Sequence, residues 1–197
     1  MRANEGRESA IRAYTRYETL TGHVWRCACR ARMLESEQRT GLVVYVDVSN
    51  RLQPPLPSGY FGNAAIGVTA TSCAGDVVSK PVGYAASIVR RAIDMVTDEY
   101  VWSYIEHLKN QEDLSKFQDV VACGNPNIAV ASWMRLPMYG IDFGWGKEVF
   151  AGPGSMSIDG DSVILSSSTG DGSLIVAICL EAIHMDSFKK HFYGGII

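Results

Sequence analysis

No stretch of the sequence approaches the roughly 18 consecutive apolar residues that a membrane-spanning helix needs, so no membrane partner is expected. Excess basic charge is also missing. With 18 Lys and Arg against 21 Asp and Glu, the net charge is -3, which leaves no electrostatic footprint for nucleic acid or an anionic surface. Cysteine is sparse, odd in number and without a C-x-x-C pair: Cys27, Cys29, Cys73, Cys123 and Cys179 argue for a reduced compartment rather than a disulfide framework. The absence of H-E-x-x-H, P-loop and paired C-x-x-C patterns leaves neither a metal nor a nucleotide phosphate with a predicted site. Residues 1–8 are charged and carry no apolar core of a signal peptide, and the chain reads as cytoplasmic.

What is present is a globular composition: 197 residues, 47% hydrophobic and 20% charged, enough to bury a core. Residues 1–13 are polar and read as a frayed segment. Thr15 and Glu18 then form a T-x-x-E capping box, and Tyr17, Leu20, Val24, Cys27 and Ala31 recur at helical spacing. His23 and Trp25 read as packing residues on that helix. Residues 42–48 form an apolar, β-branched run suited to a buried strand, and 62–71 a second strand after a proline-rich loop.

Pro81 is placed at the first position of a helix marked by Ala85, Ile88, Ala92 and Met95, with Val101, Tyr104, Ile105 and Leu108 continuing it or opening another. A short strand is predicted over 128–134. Asp159-Gly160 predicts a hairpin turn between strands 155–158 and 162–167, and Gly170-Asp171-Gly172 a turn before a strand over 173–180. A last helix over 182–192 would turn Ile183, Phe188 and Phe192 inward. Strands interleaved with long helices make this an α/β layer structure.

Asp142-Phe143-Gly144-Trp145-Gly146-Lys147 has its own physical reading. Gly144 and Gly146 open backbone conformations closed to other residues, Phe143 and Trp145 can anchor a turn in apolar surface, and Asp142 can accept hydrogen bonds or pair with an arginine. Phe143 between Asp142 and Gly144 also spells a kinase D-F-G, but without the accompanying kinase motifs.

This hexapeptide also resembles the signature of the plant BAHD acyltransferases. Four further segments occur in that family's order and spacing. They are Tyr17-Glu18 through Gly22-His23-Val24-Trp25-Arg26, Pro54-Pro55-Leu56-Pro57 through Gly59-Tyr60-Phe61-Gly62-Asn63, Ser132-Trp133 with Leu136-Pro137, and Gly152-Pro153-Gly154. The resemblance is to the second half of the family. It implies the C-terminal domain of a two-domain acyltransferase, with a chloramphenicol-acetyltransferase-like mixed sheet and flanking helices over 14–197. It also implies that residues 148–171 cross over and find their sheet neighbours in a missing N-terminal half.

Acyl-CoA as co-substrate, a small-molecule acceptor and no other cofactor follow from the same resemblance. The family's catalytic histidine lies in H-x-x-x-D, yet the residues four positions after His23, His107, His184 and His191 are Cys27, Gln111, Phe188 and Gly195. No catalytic residue is therefore assigned. The family pairs the signature aspartate with an arginine, for which Arg51 in Asp47-Val48-Ser49-Asn50-Arg51 is the candidate, and Ser132 and Trp133 are placed along the pantetheine arm.

In texture, Tyr139-Gly140-Ile141, Lys147-Glu148-Val149 and Phe188-Lys189-Lys190-His191-Phe192-Tyr193 look like the spermidine hydroxycinnamoyl transferases. Relatives using shikimate or quinate usually carry arginine where Lys147 stands, and lysine cannot reproduce that fork. A cationic acceptor would need carboxylates, for which Glu148, Asp159 and Asp161 are candidates. A shikimate- or quinate-using fragment and a noncatalytic acyl-CoA-binding or partner-docking protein are the alternatives.

Overall fold

The computed structural model describes residues 12–113 and 123–194. Helix α1 (Arg16–Ala31) starts as its capping box dictates: the Thr15 side chain accepts from Glu18 N at 3.2 Å, and Glu18 Oε2 accepts from Thr15 N at 2.7 Å. Strand β1 (Arg39–Asp47) pairs antiparallel with β2 (Ala65–Cys73). Three helices follow, α2 (Ala74–Ser79), α3 (Val82–Asp94) and α4 (Asp98–Lys109), then β3 (Ile128–Ser132), β4 (Asp161–Ser166), β5 (Leu174–Ile178) and α5 (Ala182–Gly194).

The sheet runs β2-β1-β3-β4-β5, with β1, β3 and β4 parallel and both outer pairings antiparallel. This is the mixed sheet with flanking helices that the sequence implies. Helix α1 packs on α3 and α5 and reaches β3. Between these helices and the sheet lies the core, to which Trp25, Val44, Val89, Val130 and Ile164 each contribute a fully buried side chain. The buried Trp25 Nε1–H donates to Thr40 Oγ1 at 3.0 Å, and Thr40 donates to the Pro126 carbonyl at 2.7 Å, so the indole's one donor is satisfied. His23 likewise serves packing, its Nε2 2.9 Å from the Phe192 carbonyl.

Gly22 explains how closely α1 and α3 cross. A Cβ there would lie 2.9 Å from Ala86 N and 3.1 Å from Ala85 Cβ, so only glycine admits the approach.

Several expectations are corrected. Residues 155–158 form no strand, because β3 and β5 already occupy both sides of β4, and the antiparallel hairpin is β4–β5 around 167–173. For the same reason residues 162–164, within the span expected to pair elsewhere, take both sheet neighbours from this chain, and 165 and 166 pair with β5. Pro81 is the residue before α3, not its first. Of the two arrangements left open after α3, α4 is a helix of its own, with the Thr97 side chain capping it. Ile183 faces solvent while Phe188 is buried. Of the expected frayed segment, residues 1–11 lie outside the described residues, and the carbonyls of Arg12 and Ala13 accept from Arg90 at 2.6 and 2.7 Å. Among the described residues no helix is long and apolar enough to cross a membrane.

Candidate active-site cleft

Because β1, β3 and β4 run parallel, their carboxyl ends converge, and a cleft of about 920 Å³ opens there. Tyr45 and Asp47 line it from β1, Ser132 from β3 and Ser166 from β4, while Arg16 and Tyr17 close it from α1. The Tyr17 hydroxyl donates to the Val130 carbonyl at 2.8 Å, and burial pushes its phenol well up, so it remains a neutral donor tying α1 to β3. Ser166 Oγ donates to the Met134 carbonyl at 2.9 Å, fixing the chain as it leaves β3. The Gly172 carbonyl on the β4–β5 hairpin accepts from Arg16.

Arg16, Arg51 and Arg135 line the cleft with Asp47. Positive charge therefore outweighs negative, which suits an anionic ligand. Hydroxyls of Thr15, Ser132, Ser167 and Ser173 stand beside apolar Leu136 and Leu174, a mixture suited to a long chain with amide groups. No histidine is among the described lining residues. His23 is bonded to Phe192, His107 lies on α4, and His184 and His191 lie on α5. The cleft can hold an anion and a flexible arm, but it presents no imidazole to take a proton.

Of the residues predicted from sequence, Ser132 and Arg51 reach this cleft. Arg51 Nη1 donates to the carbonyls of Ile93 at 3.0 Å and Val96 at 2.9 Å, capping the end of α3 instead of pairing with Asp142. Asp142 Oδ1 accepts from Gly144 N at 2.7 Å and Gly146 N at 3.1 Å, so the signature loop is organised from within. Positive φ at Gly144 and Gly146 agrees with the sequence reading. The anchoring role does not. Phe143 is 79% and Trp145 93% exposed, with no apolar surface covering them among the described residues. Lys147 pairs with Asp142 through a backbone β-bridge, and it is exposed.

Trp133 is half-buried and absent from the cleft lining, its backbone N–H donating to the Ile164 carbonyl at 2.9 Å. Asp159 and Asp161 lie before and at the start of β4, at the opposite end from the cleft. Six residues of strand separate those ends by about 17 Å. Asp159 pairs with the buried Arg32 at 2.8 Å and accepts from Asn125 N and Glu181 N, so it is structural. Burial pushes the Asp161 carboxyl up, which weakens it as a cation partner. One Glu148 oxygen accepts from Gly140 N, and the other is buried without a partner among the described residues.

The sequence reading missed Arg16, Met134, Arg135 and Ser166. Their signal was positional: the end of each parallel strand and the residue opening α1.

A family model described as the Transferase family matches residues 1–194. The chain belongs to this family, the BAHD acyltransferases. It is 41% identical to a hydroxycinnamoyl-CoA:piscidic acid hydroxycinnamoyltransferase of Actaea racemosa, covering 94% of this chain and 44% of that protein. It is 44% identical to a shikimate O-hydroxycinnamoyltransferase of Nicotiana tabacum, covering 91% and 42%. The chain thus spans less than half the length of the relatives it matches, in keeping with the resemblance to one half of the family. Among solved structures, F. graminearum TRI101 complexed with coenzyme A and T-2 mycotoxin superposes with a TM-score of 0.80 at 19% identity, over 92% of this chain and 42% of that one. Vinorine synthase gives 0.68 at 19% identity, over 93% and 42%. At such identities the likeness is of fold. The BAHD family uses CoA thioesters as co-substrates.

Proposed function

We propose that this BAHD chain forms the C-terminal half of a hydroxycinnamoyl-CoA-dependent acyltransferase, and that its cleft receives the CoA thioester while another polypeptide segment supplies the catalytic base. The observation that carries this reading is the cleft itself, lined by arginines and hydroxyls at the carboxyl ends of three parallel strands and lacking a histidine among its described lining residues. In the assembled enzyme, a histidine in H-x-x-x-D would take the acceptor's proton, the acceptor would attack the thioester carbonyl, and CoA would leave through an oxyanion. The residues of this chain bind and orient. Phe143, Trp145, Val149 and Phe150, all exposed, form the apolar surface on which the other half would dock, with 148–160 crossing toward it.

For the acceptor, an amine reading draws support from Lys147 and from the buried, unpartnered Glu148 oxygen, which could take a cationic group. A relative from Avena sativa, 42% identical, is named a 5-hydroxyanthranilate N-hydroxycinnamoyltransferase. Spermidine is the specific amine that the terminal sequence texture suggests. A shikimate-type hydroxy acid is the second reading, favoured by the relative from Nicotiana tabacum.

The test is to combine the chain with an N-terminal half containing H-x-x-x-D and compete spermidine against shikimate for p-coumaroyl-CoA. Faster transfer to the amine is expected. Faster transfer to shikimate overturns the amine reading, and failure of the chain to bind CoA overturns the cleft assignment.

A further inference from the structure

A second cavity of about 550 Å³ runs along the outer side of α1, sharing Arg16 and Leu174 with the cleft but otherwise separately lined. Arg26 and Arg30 stand one helical turn apart in it, about 6 Å along the axis. Both are partly buried, yet no ion pair neutralises either among the described residues, and no acidic residue lines the cavity. Arg26 Nε donates to the Val77 carbonyl at 3.0 Å and Arg30 Nη2 to the Val78 carbonyl at 3.2 Å. Those bonds aim each fork and leave further N–H donors on each guanidinium.

The local field is positive. Burial and neighbouring Arg30 push Arg26 down from its ordinary value, and burial, Arg30 and Lys190 push His191 down. Two half-buried cations that share a cavity without a carboxylate repel each other, and a bound anion would offset that repulsion. Leu20 and Val82 add an apolar wall.

We propose that this cavity is a binding site for a phosphate-type oxyanion, held by Arg26 and Arg30 beside Leu20 and Val82. A planar monocarboxylate satisfies one fork, whereas a tetrahedral dianion presents oxygens to two guanidiniums at once. The anion could be free phosphate or the phosphate of an ester with an apolar body, and the two are separable.

The experiment is titration calorimetry of the full chain with inorganic phosphate and with phenyl phosphate, at ionic strength matched with chloride. Saturable phosphate binding is expected, weakened tenfold or more by Arg26→Gln or Arg30→Gln and a few-fold by Arg30→Lys. Tighter binding of phenyl phosphate identifies an ester and equal binding identifies free phosphate, each within the proposal. Since the arginines also hold α2, Thr19→Glu provides a second variant: it places a carboxylate in the cavity from an exposed position and should abolish binding with an unchanged melting temperature. Unchanged affinity in Thr19→Glu or in both glutamine variants, or equal binding of chloride, would each overturn the proposal.

Discussion

Arg32 Nη2 lies 2.8 Å from Asp159 Oδ2, joining the end of α1 to the turn that enters β4. The arginine side chain is fully buried, and its Nη1 also donates to the Asn127 carbonyl at 2.9 Å, so one residue ties three segments together. Gly160 follows Asp159 with φ +85°, and a Cβ there would meet Asn127 O at 2.6 Å, which leaves the turn to glycine.

Removing one member of this pair strands the other. Asp159→Ala should cost about 3 kcal/mol in urea unfolding, because Arg32 stays buried without its counter-charge. The double variant Arg32→Met/Asp159→Ala should be more stable than Asp159→Ala alone. A double variant equally or less stable would show that the charge pair is not what holds the turn.

Gly22→Ala sets two effects against each other. Alanine favours a helix interior by about 1 kcal/mol. The new methyl would press on Ala86 N and Ala85, and both are backbone-fixed on α3. Overpacking wins, and a net loss of about 1–3 kcal/mol is expected by calorimetry. A raised melting temperature would show that α1 and α3 separate freely.

Glu18 predicts a pH dependence. Burial acts to raise its carboxyl, but hydrogen bonds from Arg90 and Thr15 outweigh that and hold it below its ordinary value of 4.5. A depressed folded-state value means that this stabilisation is present above the unfolded value and is lost as pH falls through the folded one. The wild type should therefore lose stability below about pH 4.5 more steeply than Glu18→Gln. Parallel melting curves of the two proteins from pH 7 to 3 would remove Glu18 from the account.

Much of the fold was legible because local and global signals agree: the Thr15–Glu18 box, the apolar run that became β1, and the glycines of the hairpin before β5. The site was less legible. Asp159 and Asp161 look alike as turn carboxylates, and only the long-range pairing with Arg32 reveals the first as structural. Likewise Phe143 and Trp145 read as anchors, since a sequence says that an aromatic residue wants cover without saying which chain provides it. Arg16 and Ser166 were invisible because the cleft exists only where strands distant in sequence end side by side.

Hydrogen exchange separates these regions. The amides of Val163 and Ile164, which sit in ladders on both sides, should be among the slowest to exchange, contrary to the expectation of an unpaired crossover. Residues 141–158 should exchange fast and slow down when an N-terminal half is added. Fast exchange at Val163 and Ile164 would mean that β4 is not held in this sheet in solution.

For 197-residue chain, full acyl transfer alone is not expected, since no histidine lines the cleft among its described residues. Purified protein incubated with p-coumaroyl-CoA and spermidine should show only background hydrolysis. Turnover abolished by His184→Ala or His191→Ala would show that α5 supplies the base.

The parallel pairing of β1 with β3 has a temporal consequence. Thr40 and Pro126, which meet beside it, are 86 residues apart in the chain, whereas the β1–β2 hairpin joins residues only tens of positions apart, from Asp47 with Ala65 to Arg39 with Cys73. Closing so large a loop is slow, and contacts of this span form after local ones. The cleft's two walls therefore come together late in folding, and a chain still rising from the ribosome would carry a formed β1–β2 hairpin and no binding site until β3 and β4 had joined it.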